Sequence, residues 1–120
     1  MKHKRIPQKI DELVYGTSIS PDGCKILELE KNKHYSLAYG ELAKEERTKL
    51  HKMEMKELYY IIEGTGKITV NDKEKEITER DVIIVPENAE QKLENTGNKT
   101  LKFLMIVNPP YELEKESILE

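Results

Sequence analysis

The sequence predicts an all-β chain closed into a single sandwich or barrel, and three observations carry that expectation. The chain has 120 residues, enough for one hydrophobic core and short for two. From Tyr35 onward, short runs rich in β-branched and aromatic residues recur at roughly ten-residue intervals. The gaps between them hold turn chemistry: Gly64-Thr65-Gly66, Asn71-Asp72, Pro86-Glu87-Asn88 and Thr96-Gly97-Asn98 each offer a residue that tolerates positive φ or fixes a bend.

Along the chain, residues 1–34 read as an N-terminal arm with a leading strand, 35–111 as the barrel and 112–120 as a C-terminal tail, all within one structural domain. The first 17 residues are polar, with one short helical turn expected around Ile10, Leu13 and Val14 and ended by Gly16. Ser20-Pro21-Asp22-Gly23 is a turn, because proline presets one backbone angle and glycine supplies the unusual one. Cys24 to Glu30 then alternates as a strand, Ile26 and Glu28 to one side, Leu27 and Leu29 to the other. Further strands are expected at Tyr35 to Leu42, Thr48 to Met53, Leu58 to Glu63, Lys67 to Val70, Lys73 to Thr78, Asp81 to Val85, Glu90 to Asn95 and Leu101 to Asn108. Pro109 and Pro110 stop the last, since proline cannot donate to a sheet ladder. The run Glu41 to Met55 lacks a 3.6-residue apolar stripe and reads as a charged hairpin. The tail, with Leu113, Ile118 and Leu119, fits either a short helix or a strand docked on a partner subunit.

Composition narrows the function. Charged residues make up 36% of the chain, but both signs are interspersed and the net charge is only −3, so no basic face for nucleic acid is expected. Cys24 is the single cysteine, which rules out an intrachain disulfide or a thiolate cluster and suits a reducing cytoplasm. A polar run, Pro7 to Glu12, follows the basic N-terminus where a signal peptide needs an apolar stretch, and no segment approaches the ~20 apolar residues of a membrane helix. A soluble protein is expected.

The chemistry is concentrated in one stretch. On an extended strand His51 and Met53 point to the same face, and Glu57 opens the next strand after a tight connection, so the three can converge inside a barrel. Gln91 heads a later strand whose register aims it at the same cavity. Alternation puts Tyr59 inward beside Glu57, with Leu58 and Tyr60 on the opposite face. Tyr39, Glu41, Phe103 and Met105 are candidate wall residues, whereas His3 and His34 belong to tail and loop.

Between about Ser36 and Tyr111 the sequence resembles the cupin superfamily, in particular its small single-domain "cupin 2" members. His51, Glu57 and Gly64 match the intervals of the family's first motif, Pro86 and Asn95 those of the second, and Asp81 stands where many members carry an aspartate. Glu45 and Arg80 replace the leading glycines of the two motifs, and Asn88 a turn glycine, which asparagine can stand in for at positive φ. More consequential, Met53 and Gln91 occupy the places of two of the three metal-binding histidines.

The resemblance implies a double-stranded β-helix, the jelly-roll barrel of cupins, and a divalent-metal site of His51, Glu57, Gln91 and Met53. That donor set is mismatched: carboxylate and amide oxygens suit hard ions, whereas a thioether is soft and prefers Cu(I). Manganese, iron, zinc or nickel would be weakly held, in a three-ligand site of His51, Glu57 and Gln91. Met53 is equally a core filler, since methionine fits irregular gaps. The function implied is a barrel binding a small polar ligand, a sugar phosphate or an organic acid. The alternative is a metal-dependent isomerase resembling the mannose-6-phosphate isomerase branch, or an oxygenase, with Glu57 as ligand or base and Tyr59 as acid. A homodimer is also implied, because Leu58, Tyr60 and Ile62 face outward and small cupins commonly pair through sheet faces.

Overall fold

The computed structural model describes residues 1–8, 10 and 17–120. The helical turn expected at Leu13, Val14 and Gly16 lies outside the described residues.

Eleven strands are formed among the described residues: β1 (Thr17–Ile19), β2 (Lys25–Lys31), β3 (Ser36–Leu42), β4 (His51–Met53), β5 (Lys56–Glu63), β6 (Gly66–Val70), β7 (Lys73–Ile77), β8 (Val82–Val85), β9 (Glu90–Asn95), β10 (Leu101–Asn108) and β11 (Glu116–Ile118). They build two antiparallel sheets, one ordered β1-β2-β3-β10-β5-β8 and the other β11-β4-β9-β6-β7. Each strand turns alternate residues inward, as on β9, where Gln91, Leu93 and Asn95 are buried. One end of the interior is filled by Leu42, Ile61, Ile68, Ile77, Leu93, Leu101 and Phe103. The other end narrows around Met53, Met55 and Val107, with Tyr111 packed against them.

Two local expectations are corrected. Glu41 to Met55 is not a hairpin: β3 and β4 belong to different sheets, and the connection between them crosses the sandwich. Arg47 bridges Glu94, and the Thr48 N–H donates to the Leu93 carbonyl at 2.8 Å while its hydroxyl accepts from the Leu93 N–H at 2.9 Å. These long-range bonds satisfy the crossing backbone better than a local turn, which would leave Thr48 buried without partners. The tail contains both alternatives read for it, a single 3-10 turn (Leu113–Lys115) followed by β11, but the strand docks on β4 of its own chain rather than on a partner.

Tertiary contacts also explain the departures from the family's glycines. Glu45, Arg80 and Asn88 have φ of 70°, 74° and 63°, so the left-handed turn conformation persists without glycine. It is held by backbone bonds such as Arg80 N to Ile61 O at 2.8 Å and Asn88 N to Met53 O at 2.7 Å. Asn95 braces the β9–β10 turn: its amide donates to the Leu42 and Lys99 carbonyls and its oxygen accepts from the Gly97 N–H.

Gly64 has φ of 96°, and a Cβ there would come within 2.9 Å of the Thr100 carbonyl oxygen. Both backbone angle and space exclude a side chain, so Gly64→Ala is expected to destabilise the fold by about 1–3 kcal/mol, read as a lowered midpoint in chemical denaturation.

Candidate functional site

Inward residues of both sheets line a cavity at the less filled end of the barrel. Its walls are Ile26, Ala38, Leu93, Phe103, Met105 and Val107, and its polar groups include Asp22, His51, Glu57, Tyr111 and Glu116. The free space is about 60 Å³, room for a few waters or a ligand of a few heavy atoms.

His51 is 1% exposed and fixed from behind. Its Nδ1 lies 2.6 Å from the Lys49 carbonyl oxygen, which only accepts, so Nδ1 carries the proton and Nε2 faces the cavity. Two carboxylates meet Nε2: Asp22 Oδ2 at 3.3 Å and Glu116 Oε2 at 3.8 Å. Both are held by their other oxygen. Asp22 Oδ1 accepts from the Ser20 hydroxyl and, at 3.0 Å, from the Cys24 N–H. Glu116 Oε1 accepts from the Tyr111 hydroxyl at 2.5 Å.

The backbone explains how residues so far apart in sequence meet. The Lys49 N–H donates to the Asp22 carbonyl at 2.8 Å, which ties the turn before β2 to the approach of β4. In β11, Glu116 pairs with Met53 and Ile118 with His51, so Glu116 takes the inward face that His51 and Met53 occupy on β4. Glu120 anchors this strap, accepting from Arg47 and from the Leu50 N–H, each at 2.6 Å.

The remaining sequence-selected residues form a second group. Glu57 is 5% exposed, and its Oε1 accepts from Gln91 Nε2 at 3.0 Å. Gln91 Oε1 in turn accepts from the Tyr59 hydroxyl at 2.9 Å, and the Tyr59 ring packs edge-on against Phe103. His51 and Gln91 are cross-strand partners, so the two groups adjoin. Met53 lines the cavity and also packs with Met55 and Val107.

Phe103 and Met105 are cavity walls, but Tyr39 and Glu41 are not. Both belong to the opposite face of β3, where Tyr39 packs with Ile10 and Leu27 and donates to Glu41 at 2.8 Å. Inward positions on β3 fall to Ser36 and Ala38 instead. Sequence reasoning missed Asp22 and Glu116: the first was visible only as a turn residue, the second sat in a tail of undecided conformation.

Burial dominates the electrostatics. It pushes the Glu57 carboxyl up to about 7 against the opposing pull of His51 and of the Gln91 amide. Burial also raises Glu116, opposed by the Tyr111 hydrogen bond, and raises the Tyr59 hydroxyl and the Cys24 thiol. Among the described lining residues there is no lysine or arginine, so His51 is the one basic side chain facing these acids.

Residues 34–107 match the model of the cupin domain. The chain belongs to the cupin family. This cupin is 38% identical over 108 residues to an uncharacterized protein of Methanocaldococcus jannaschii, a match covering 85% of this chain and 86% of that protein. Among solved structures it is similar to one described as a predicted oxalate decarboxylase from Thermotoga maritima, with TM-score 0.67 and 29% identity over 72% of this chain and 80% of that one. An RmlC-like cupin from M. jannaschii with a double-stranded β-helix fold superimposes with TM-score 0.67 at 20% identity, covering 84% and 94% of the two chains. Oxalate decarboxylase from Lactobacillus farciminis gives TM-score 0.74 at 21% identity; 86% of this chain aligns with 33% of that longer one. The fold is the double-stranded β-helix.

Glu57 supplies a pH test. With its carboxyl at about 7 when folded and near 4.5 when unfolded, its contribution to stability is fully present below about pH 4.5 and is lost as pH rises through 7. Glu57→Gln, a neutral isostere still able to accept from Gln91, is therefore expected to match the wild type at pH 4 and to exceed it by about 3 kcal/mol at pH 8. Urea denaturation in the presence of a chelator measures the difference; equal curves at pH 8 would refute it.

Proposed function

We propose that this cupin binds a divalent metal ion through Asp22, His51 and Glu116 and uses it to hold a small polar ligand inside the barrel. The carrying observation is the set of three donor atoms, all within 4.8 Å of one another, that converge on the cavity inside the barrel. Ligands around 2.0–2.2 Å from a common ion stand about 3–3.5 Å apart. The 3.3 Å His51–Asp22 separation fits this, while the 3.8 Å His51–Glu116 separation and the Asp22–Glu116 separation, within 4.8 Å, would close on the ion. The supporting bonds have the form seen around metal ligands: the imidazole donates its other N–H to a carbonyl, and each carboxylate has one oxygen restrained by a protein donor.

One imidazole with two carboxylates suits manganese, iron, zinc or nickel better than a set containing a thioether. Without a cation, the buried carboxylates would face a single imidazole, a costly arrangement in a low-dielectric interior. Three protein ligands leave coordination positions open, and a metal there would polarise a bound oxygen and offset its charge. With no lysine or arginine in the described lining, an anionic ligand would depend on that ion for its attraction. The limited space favours a small organic acid over a sugar phosphate, in keeping with the description of the T. maritima neighbour.

Glu57 favours catalysis in addition to binding. A carboxyl near 7, beside the site and oriented by Gln91 and Tyr59, can take up or release a proton at neutral pH, as an isomerase or another proton-transferring enzyme requires. The Tyr59 hydroxyl is committed to Gln91, which makes it a positioning group for Glu57 in this reading.

Calorimetric titration with Mn²⁺, Fe²⁺, Zn²⁺ and Ni²⁺ is expected to give one site per chain. Asp22→Asn, His51→Ala and Glu116→Gln should each weaken it by more than the about 10–100-fold that losing a bond supporting a ligand costs, whereas Met53→Leu and Gln91→Ala should leave it nearly unchanged. The opposite pattern would transfer the site to the family's usual positions, and no binding by the wild type would end the proposal.

A further inference from the structure

Strand β11 is an edge of the five-stranded sheet and pairs with β4 alone, over three residues. Apolar burial does little to hold it there. None of residues 111–120 is fully buried, and the two leucines of this strap turn outward, Leu113 62% exposed and Leu119 40%. Of residues 112–120, only Glu116 lines the cavity, with its side chain 3% exposed and Oε2 3.8 Å from His51 Nε2. The strap therefore leaves its leucines in water and buries an acid, and desolvating a carboxylate opposes docking instead of driving it.

Polar bonds at its two ends fix the strap. Before it, the Tyr111 N–H donates to Ser36 Oγ at 2.9 Å, and the Tyr111 side chain packs with Met53, Met55 and Val107. At the far end Glu120 Oε1 accepts from Arg47 Nη1 and from the Leu50 N–H, each at 2.6 Å, and the Leu119 N–H donates to the Leu50 carbonyl at 2.9 Å. Arg47 is itself steadied, because Nη1 also donates to the Thr48 carbonyl at 3.0 Å and the residue bridges Glu94. The far anchor thus stands on residues 47–50, the stretch that leads into His51 and whose Lys49 holds both the imidazole and the Asp22 turn. A segment secured by a few bonds on partly exposed backbone, with little apolar contact, has low local stability.

We propose, on the metal reading given above, that Arg47 and Glu120 are positioning residues of the site: they latch a strap that opens locally, and only its closed form presents Glu116 to a cation held by Asp22 and His51. Neither residue touches the ion. The apparent metal affinity is then the intrinsic affinity scaled by the closed fraction, so loosening the latch weakens binding without removing a ligand. Linkage requires the converse: a bound cation holds the strap closed by the same factor. The cation supplies what apolar burial does not, a favourable partner for the one acid that the strap inserts.

Calorimetric titration of the full chain with Mn²⁺ tests this. Glu120→Gln and Arg47→Gln are each expected to weaken binding by about three- to tenfold, the scale of an exposed ion pair reinforced by a charged hydrogen bond, and Arg47→Lys to retain most of the affinity. In a Glu116→Gln background, Glu120→Gln should cost less than about twofold, because the latch acts through Glu116. A merely structural role would cost the same in both backgrounds, and that result would overturn the proposal. Amide hydrogen exchange at residues 116–119 should slow by at least about threefold when wild type is saturated with Mn²⁺, and should not slow in Glu116→Gln. If a latch variant fails to fold, this wild-type exchange measurement decides, and an unchanged rate sinks the latch. Binding that is lost in His51→Ala but unaltered in Glu120→Gln would remove the latch and leave the metal site standing. No binding by the wild type would remove both.

Discussion

The hydrogen bond between His51 Nδ1 and the Lys49 carbonyl determines what the cavity presents to a ligand. At 2.6 Å it fixes both the proton position and the ring orientation, leaving Nε2 as the only imidazole atom available to the interior. The backbone that supplies this carbonyl also holds the Asp22 turn through the Lys49 N–H. Beside it, β11 pairs with β4 and carries Glu116. One short strand thus organises a base and two acids drawn from the two ends of the chain.

The cavity combines an apolar wall with an excess of carboxylates, and that combination gives its chemistry direction. Burial that would be harmless around neutral side chains raises Glu57 to about 7 and also raises Glu116, because desolvation penalises their ionised forms. Protons or a cation can relieve the same strain, and so metal affinity and proton affinity are coupled in the proposed site. Gln91, standing where the family has a histidine, bridges Tyr59 and Glu57 and stiffens the second group without adding a base.

The two faces of the six-stranded sheet divide the labour. Inward residues of β3, β5 and β10 shape the cavity, while outward residues of β2, β3 and β10 seat the N-terminal arm. Period-2 alternation keeps the two faces separate, since a residue facing one side cannot serve the other.

Much of the barrel was legible in the amino-acid sequence because strand alternation and turn chemistry are local. The boundaries of β9 and β10 and the positions of most separators follow from side-chain pattern alone. So does the inward placement of Glu57 and Tyr59. Asp22 and Glu116 were not legible as site residues: no short-range pattern connects a turn aspartate or a tail glutamate to a histidine on β4. For the same reason Tyr39 and Glu41 could not be assigned a face, nor Glu41 to Met55 its crossing between sheets. The sequence by itself determined the alternation, the turns and a resemblance carried by His51, Glu57, Gly64, Pro86 and Asn95. Tertiary structure alone decided which carboxylates reach the imidazole, because that depends on long-range backbone pairing that closes the sheets and delivers distant segments to one point.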